Sequence, residues 1–243
     1  MDQKIPKVIH YCWFGGKPLP QMAKKCIASW QKYMPDYEIR QWDESNFDIN
    51  ATKYTKEAYS KKLYAFVSDY ARFKILNDNG GIYLDTDVEI IKPLDEIIEK
   101  GPYLGIESGD QVNPGLGMAA VANMDFIAEV LHHYDSSTFI KSDNTIDYDT
   151  VVVRTTRLLK SHGWTGKEKK IAGFFIYPEE YFCPMDYNTK KIHITKNTYT
   201  IHLYAATWIS PCQKFYAYIK QLFGERSAQS CSMAIKAVKN IFK

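Results

Sequence analysis

The chain lacks the marks of several protein classes. Its five cysteines (Cys12, Cys26, Cys183, Cys212, Cys231) are odd in number and form no C-x-x-C pair. That usage argues against a disulfide scaffold and against a structural zinc site, and it fits a reducing compartment. No run of about 18 apolar residues occurs. The nearest stretch, residues 114–131, is interrupted by Asn123, Asp125 and Glu129. The first residues, MDQKIPKVIHYCWFGG, show no basic segment followed by a long apolar one, so no signal peptide is expected. The expected protein is soluble, or at most attached to a membrane surface. Neither sign of charge dominates: 31 Lys and Arg face 28 Asp and Glu, a net charge of +3. That balance gives no reason to expect a nucleic-acid partner. There is no internal repeat and no low-complexity linker.

What is present is globular. Of 243 residues, 45% are hydrophobic and 24% charged, enough to bury a core in one large or two small domains. Tyr (18) outnumbers Phe (12). A flat apolar ring with a polar tip suits sugar or base recognition, although composition alone favours ordinary core and surface tyrosines. The charge is unevenly placed. From Pro211 onward there are six basic residues (Lys214, Lys220, Arg226, Lys236, Lys239, Lys243) and one acid, Glu225. The tail is therefore +5, and the body must be −2.

Apolar periodicity predicts the elements. Lys7–Phe14 reads as a buried strand ended by Gly15–Gly16, and Met22, Cys26, Trp30 and Met34 mark one helical face. Tyr37–Trp42 alternates as a second strand, which makes a βαβ-like start. Residues 43–60 read as a loop with a short helix. Leu63–Leu76 is a helix stopped by Gly80–Gly81, and a strand over Ile82–Ile91 follows. Further strands are expected at 103–107, 116–122, 171–177 and 198–204. Further helices are expected at 94–100, 126–134, 150–161, 215–223 and 232–242. The alternation predicts a single α/β domain with a mostly parallel sheet and some antiparallel strands.

The most informative stretch is NDNGGIYLDTDVEIIKP. Asp85 and Asp87, two apart on the expected strand, would share one face. Two carboxylates in an apolar strand are costly and repel each other. A divalent cation removes both problems, and oxygen ligands suit Mg²⁺ or Mn²⁺ completed by substrate phosphates. Taken alone, the pair also reads as two solvated acids at a strand end. Upstream, Asp69 and Arg72 in SDYAR stand at i and i+3 on the helix, as an ordinary ion pair or as joint holders of a ribose and a phosphate.

The string SDYARFKILNDNGGIYLDTDVEIIKPLD resembles the signature of the DxD-containing family 32 glycosyltransferases. That family includes bacterial capsular-polysaccharide transferases and fungal outer-chain mannosyltransferases. It is also similar to the catalytic domain of the clostridial glucosylating toxins. IPKVIHYCWFGGKPLPQMAKKCIASWQKYMPDYEIRQWDE and the late YPEEYFCPMDY and NTYTIHLYAATW fit the bacterial branch, so the likeness covers roughly residues 5–210. It implies a GT-A type fold, a single mixed, mostly parallel sheet flanked by helices with the D-x-D at the end of a central strand. It also implies transfer of a sugar, with retention, from a nucleotide-sugar donor (a UDP-sugar by similarity) to a saccharide or lipid-linked oligosaccharide acceptor. Surface or capsular polysaccharide synthesis on the cytoplasmic side is the implied setting.

The resemblance also assigns residues. Asp87 would bind the metal directly, with Asp85 partly through water and His202 completing the shell, a set that favours Mn²⁺ over Mg²⁺. Asp69, Arg72, Tyr83 and Asp85 would contact the donor. Trp13, Phe14 and Gly15, at the carboxyl end of the first strand, would hold the nucleobase. Thr207 and Trp208 would lie over the diphosphate, although this chain reads Ala-Thr-Trp where many relatives read Gly-Ser-Trp. Asn113 would stand near the reacting sugar. Asp110, and more weakly Glu107 and Asp186, are acids that could approach it.

Other readings differ in class. A phosphatase of the haloacid-dehalogenase type also uses D-x-D, but on its first strand, whereas two strands precede Asp85 here. A non-catalytic nucleotide-sugar or sugar-binding module would be expected to lose part of the set Asp69, Arg72, Asp85, Asp87 and His202, which is complete. The expected division is a catalytic domain over 1–210 and a basic helical extension over 211–243. Ala234, Ile235, Val238, Ile241 and Phe242 would make one face of the last helix, packed on the domain or laid on an anionic membrane surface.

Overall fold

Gly80 and Gly81 organise the centre of the molecule, and both have positive φ (64° and 101°). A side chain on Gly81 would stand 2.8 Å from the Val8 carbonyl oxygen and 3.0 Å from His10 Nε2. Glycine therefore lets a long helix end directly against the sheet. A computed structural model describes residues 4–205. The chain runs β1 (Val8–Cys12), α1 (Gln21–Tyr33), β2 (Glu38–Trp42), α2 (Lys53–Ser60), α3 (Tyr64–Asn79), β3 (Gly81–Tyr83) and β4 (Val88–Ile90). It continues with α4 (Asp95–Ile98), β5 (Tyr103–Ser108), β6 (Gln111–Val112), a 3-10 turn (Pro114–Leu116), β7 (Met118–Ala120) and α5 (Asp125–Asp135). Last come α6 (Val151–Ser161), β8 (Lys170–Ile171), β9 (Phe174–Tyr177), α7 (Glu179–Phe182) and β10 (Thr200–His202).

The main sheet has the order β2-β1-β3-β7-β5-β9-β8, with β6 hanging on β5. β1 pairs in parallel with β2 and β3, β7 is antiparallel to both β3 and β5, and β9 is parallel to β5. Five of the seven strands on that path thus run one way, and only β7 and β8 oppose them. This is the mixed, mostly parallel sheet flanked by helices expected of a GT-A type fold. Helices cover it on two sides. One apolar cluster joins Phe66, Tyr70, Phe73, Leu76, Phe126 and Phe174. The other joins Ile9, Trp30, Met34, Ile82, Leu84 and Tyr103.

The strand expected over Ile82–Ile91 is two strands. β3 ends at Tyr83, and the chain turns at Asp85–Asp87, closed by the Val88 amide donating to the Asp85 carbonyl at 3.1 Å. It then leaves the main sheet to pair β4 antiparallel with β10, through Thr200↔Ile90, Ile201↔Glu89 and His202↔Val88. Asp85 and Asp87 therefore occupy a turn, not one face of a continuous strand. The physical reason is the one that made the pair conspicuous: carboxylates in a buried strand lose their solvation, whereas a turn keeps them at the rim. α1 holds the departing strand, with Trp30 Nε1 donating to the Val88 carbonyl at 2.7 Å and Ser29 Oγ accepting from the Ile90 amide at 2.9 Å.

Smaller differences have local causes. The strand expected over 171–177 is a hairpin, β8–β9, folded at Ala172–Gly173, both with positive φ. The strand expected over 116–122 starts later, because Asn113 caps a 3-10 turn by accepting the Gly115 amide at 2.7 Å. β6 and α7 went unread, being too short for a period to show. The helices expected at 215–223 and 232–242, and the boundary at 210, lie outside the described residues.

Candidate active site

The site is built where β3 ends. Arg72, on α3, is 3% exposed and spreads its guanidinium over three partners. Nη2 donates to Asp69 Oδ1 at 2.9 Å, Nη1 to Asp85 Oδ2 at 3.3 Å and Nε to the Ser68 carbonyl at 3.1 Å. The Tyr83 ring lies against the guanidinium, 4.7 Å away, and its hydroxyl donates to Asp85 Oδ1 at 3.1 Å. Both oxygens of Asp85 are thus held. Burial works against the Arg72 cation, but Asp85, Tyr83 and Asp69 keep it firmly protonated, above the ordinary arginine value. Burial raises the Asp69 carboxyl to about 6, opposed by Arg72 and by the Val151 amide. That amide reaches Asp69 Oδ2 at 3.1 Å from the first turn of α6.

Gly115 closes the other side. Its carbonyl accepts the Asp85 amide at 3.1 Å. A methyl group on Gly115 would collide with Asp85 Oδ2, and it would stand 2.9 Å from Asp85 Cγ and 3.0 Å from Arg72 Nη1. Asn113 both caps this turn and donates from Nδ2 to Glu107 Oε1 at 3.1 Å.

Asp87 meets the β4–β10 ribbon. Its carbonyl accepts the Leu203 amide at 2.9 Å, and Oδ1 lies 3.5 Å from His202 Nε2. The other ring nitrogen, Nδ1, lies 3.7 Å from Glu107 Oε1, is buried and has no hydrogen-bond partner. Burial disfavours the imidazolium, yet Asp87 and then Cys183 outweigh it and push His202 up to about 10. An imidazole between two carboxylates, with an orphaned buried nitrogen, is a donor set that fits a divalent cation.

The structure thus brings together Asp69, Arg72, Tyr83, Asp85, Asp87, Asn113 and His202 from the expected residues. Tyr83, 1% exposed, and Asn113, 6% exposed, hydrogen-bond their neighbours Asp85, Glu107 and Gly115. Trp13, Phe14 and Gly15 follow the carboxyl end of β1, the strand beside β3. Phe14 packs its ring on Phe47 in the core, and the Gly15 amide donates to Glu44 Oε1 at 2.6 Å. Trp13 stays partly exposed, with Nε1 tied to the Lys17 carbonyl at 2.6 Å. Thr207 and Trp208 lie outside the described residues.

Two of the three weighed acids turn elsewhere. Asp110 pairs with Lys160 at 2.6 Å, and Asp186 is hydrogen-bonded within its own turn. Glu107 is the acid at the centre. Sequence reasoning missed Cys183, Gly115 and Tyr204, whose hydroxyl lies 3.0 Å from Cys183 Sγ. The string YFCPMDY held the only cue to Cys183, and no spacing links it to His202.

Residues 20–104 match the family model described as the glycosyltransferase sugar-binding region containing the DXD motif. The resemblance to the DxD-containing family 32 glycosyltransferases is therefore borne out. An uncharacterized glycosyltransferase of Acanthamoeba polyphaga mimivirus is 34% identical over 108 residues, covering 42% of this chain and 41% of that protein. Inositol phosphoceramide mannosyltransferase 1 of Schizosaccharomyces pombe is 28% identical over 113 residues, covering 42% of this chain and 34% of its own length. The chain thus spans less than half the length of these relatives. Among solved structures, the PaToxG glycosyltransferase aligns with a TM-score of 0.47 at 19% identity, over 65% of this chain and 69% of that one. The galactosyltransferase LgtC aligns with a TM-score of 0.41 at 14% identity, over 91% and 94%.

Proposed function

We propose that the protein is a metal-dependent, retaining glycosyltransferase that moves a sugar from a nucleotide-sugar donor, a UDP-sugar, to a saccharide or lipid-linked oligosaccharide acceptor. The observation that carries this reading is the buried Asp69–Arg72 pair joined to the partly exposed Asp85 directly after the central strand β3, with Asp87 and His202 beside it. Arg72 fixes Asp85, so Asp85 meets the donor in one orientation without a reorganisation cost. Asp69 locks Arg72 and, through the Val151 amide, ties α6 to the same network. Trp13 offers a ring at the carboxyl end of β1 for the nucleobase. Mn²⁺ or Mg²⁺ would be held by Asp87 and His202, with Asp85 reaching it through water. When bound, such a cation neutralises the departing diphosphate. Asp85 is pinned by two partners and is not free to swing onto an anomeric carbon. Retention, as the family resemblance implies it, is assigned to attack on the leaving-group side.

The biological setting we assign is surface-polysaccharide synthesis at the cytoplasmic face of the membrane, with the basic segment 211–243 on the lipid surface. The deciding experiment is a screen of nucleotide sugars for Mn²⁺-dependent donor hydrolysis, with Asp87→Ala as control. One donor turned over by the wild type and at least a hundredfold less by the variant supports the reading. No turnover of any donor with metal leaves the binding-module alternative in its place.

A further inference from the structure

Three side chains from distant parts of the chain meet beside His202. Glu107 comes from β5, Cys183 directly follows α7, and His202 ends β10. Each offers one ligand atom, and these atoms all lie within 4.8 Å of one another. Cys183 is 0% and His202 8% exposed. His202 Nδ1, the nitrogen turned to Glu107, is buried without a hydrogen-bond partner. Neither aspartate of the D-x-D belongs to this cluster. An oxygen-seeking ion has no use for a sulfur, so the thiol needs its own account.

We propose that Glu107, Cys183 and His202 form a cation site of mixed oxygen, sulfur and nitrogen ligands that selects Zn²⁺ over Mg²⁺ and Mn²⁺. Zn²⁺ takes carboxylate, thiolate and imidazole together, whereas Mg²⁺ takes oxygen and keeps its waters. Three protein ligands leave a fourth tetrahedral position open to solvent or a ligand. With metal–ligand bonds of about 2.0–2.3 Å, atoms on one tetrahedral ion stand roughly 3.3–3.8 Å apart. The three side chains therefore need to close by about 1 Å, and the longest of them, Glu107, is only partly buried. On binding, the Cys183 thiol releases its proton to solvent as the zinc–sulfur bond forms, and Nδ1 binds as a neutral imidazole donor. Tyr204, 3.0 Å from the sulfur, can donate its hydroxyl to the thiolate. The site needs no transferase activity. One consequence rests on that reading: Zn²⁺ and the D-x-D cation compete for a single imidazole, so Zn²⁺ inhibits transfer.

The test is a titration of the full, reduced, metal-free protein with Co²⁺, a zinc surrogate whose thiolate complexes absorb in the near ultraviolet. The expected result is a thiolate-to-cobalt band saturating at one equivalent. Zn²⁺ should erase it stoichiometrically, and a large excess of Mg²⁺ should leave it intact. The band should vanish in Cys183→Ser, and Co²⁺ affinity should fall at least tenfold in Glu107→Gln. Absence of the band in the wild type overturns the proposal, and so does its persistence in Cys183→Ser. Should that variant not fold, an unchanged affinity in Glu107→Gln overturns it instead. Asp87→Ala separates the two readings, because it should keep the band whether or not the protein transfers sugar.

Discussion

Arg72 is the most constrained charge in the site, and its surroundings show how residues without reactive groups can govern those with them. A buried cation with two carboxylates is stable only as a set, since removing one partner strands the others at a cost of about 3–5 kcal/mol. Gly115 belongs to this set because it has no side chain. Gly115→Ala should leave the protein folded, with a loss of about 1–3 kcal/mol from overpacking. Metal-dependent donor turnover should fall at least tenfold, because Asp85 must move off Arg72. A thermal melt paired with a turnover assay checks this, and normal turnover would show that the Asp85 position is not critical. His10 gives a prediction of another kind. Trp42 Nε1 donates to its Nδ1 at 3.1 Å, so Nε2 carries the proton and donates to the Gly80 carbonyl at 3.1 Å. Burial lowers its pKa from 6.5 to about 4, against the Gly80 bond, with Arg40 adding to the fall. The unfolded chain then binds the extra proton first. Stability should decline as pH drops from about 6.5 to about 4, by up to about 3 kcal/mol, and this contribution should level off below that. Denaturant titrations across that range should show a shallower slope for His10→Gln.

At the scale of elements, the decisive event is the break between β3 and β4. Strand β3 ends in the sheet and β4 starts in a separate ribbon with β10, so one turn faces both the arginine on α3 and the histidine on β10. α3 reads plainly in the sequence because Phe66, Tyr70 and Phe73 recur on one stripe and Gly80 ends it. α2 is held differently, by a reciprocal cap in which Thr52 Oγ1 accepts the Thr55 amide at 3.0 Å and Thr55 Oγ1 accepts the Thr52 amide at 3.2 Å. Thr52→Ala should cost about 1 kcal/mol. Chemical denaturation should show that loss with an unchanged slope, and no change in midpoint would mean the cap is dispensable.

At the scale of the described chain, the sheet lies between two apolar clusters, and the site sits at the carboxyl ends of its parallel strands, where open α/β sheets bind ligands. No helix among the described residues is long and apolar enough to cross a membrane. The membrane contact proposed for the basic tail rests on its charge and on the apolar positions Ala234, Ile235, Val238, Ile241 and Phe242. Deleting residues 231–243 should abolish co-sedimentation with vesicles containing anionic lipid and leave neutral vesicles unaffected. Equal binding by the shortened and full chains would remove the membrane assignment.

The sequence by itself determined the α/β class, the start strand-helix-strand, the glycine-stopped helix and the D-x-D that follows it. These are local: apolar period, positive-φ glycines and a short motif report on residues within one or two turns of each other. Spacing and charge also singled out Asp69, Arg72, Asp85 and Asp87, and a resemblance spread over three separated strings added His202. Tertiary structure alone decided that Asp85 and Asp87 lie in a turn, that Tyr83 and Asn113 hold other residues in place, and that Glu107 is the central acid. It alone set Cys183 beside His202 and made the missing side chain of Gly115 matter. Those facts depend on which strand neighbours which, and contact across a sheet or between distant turns leaves no periodicity in the chain.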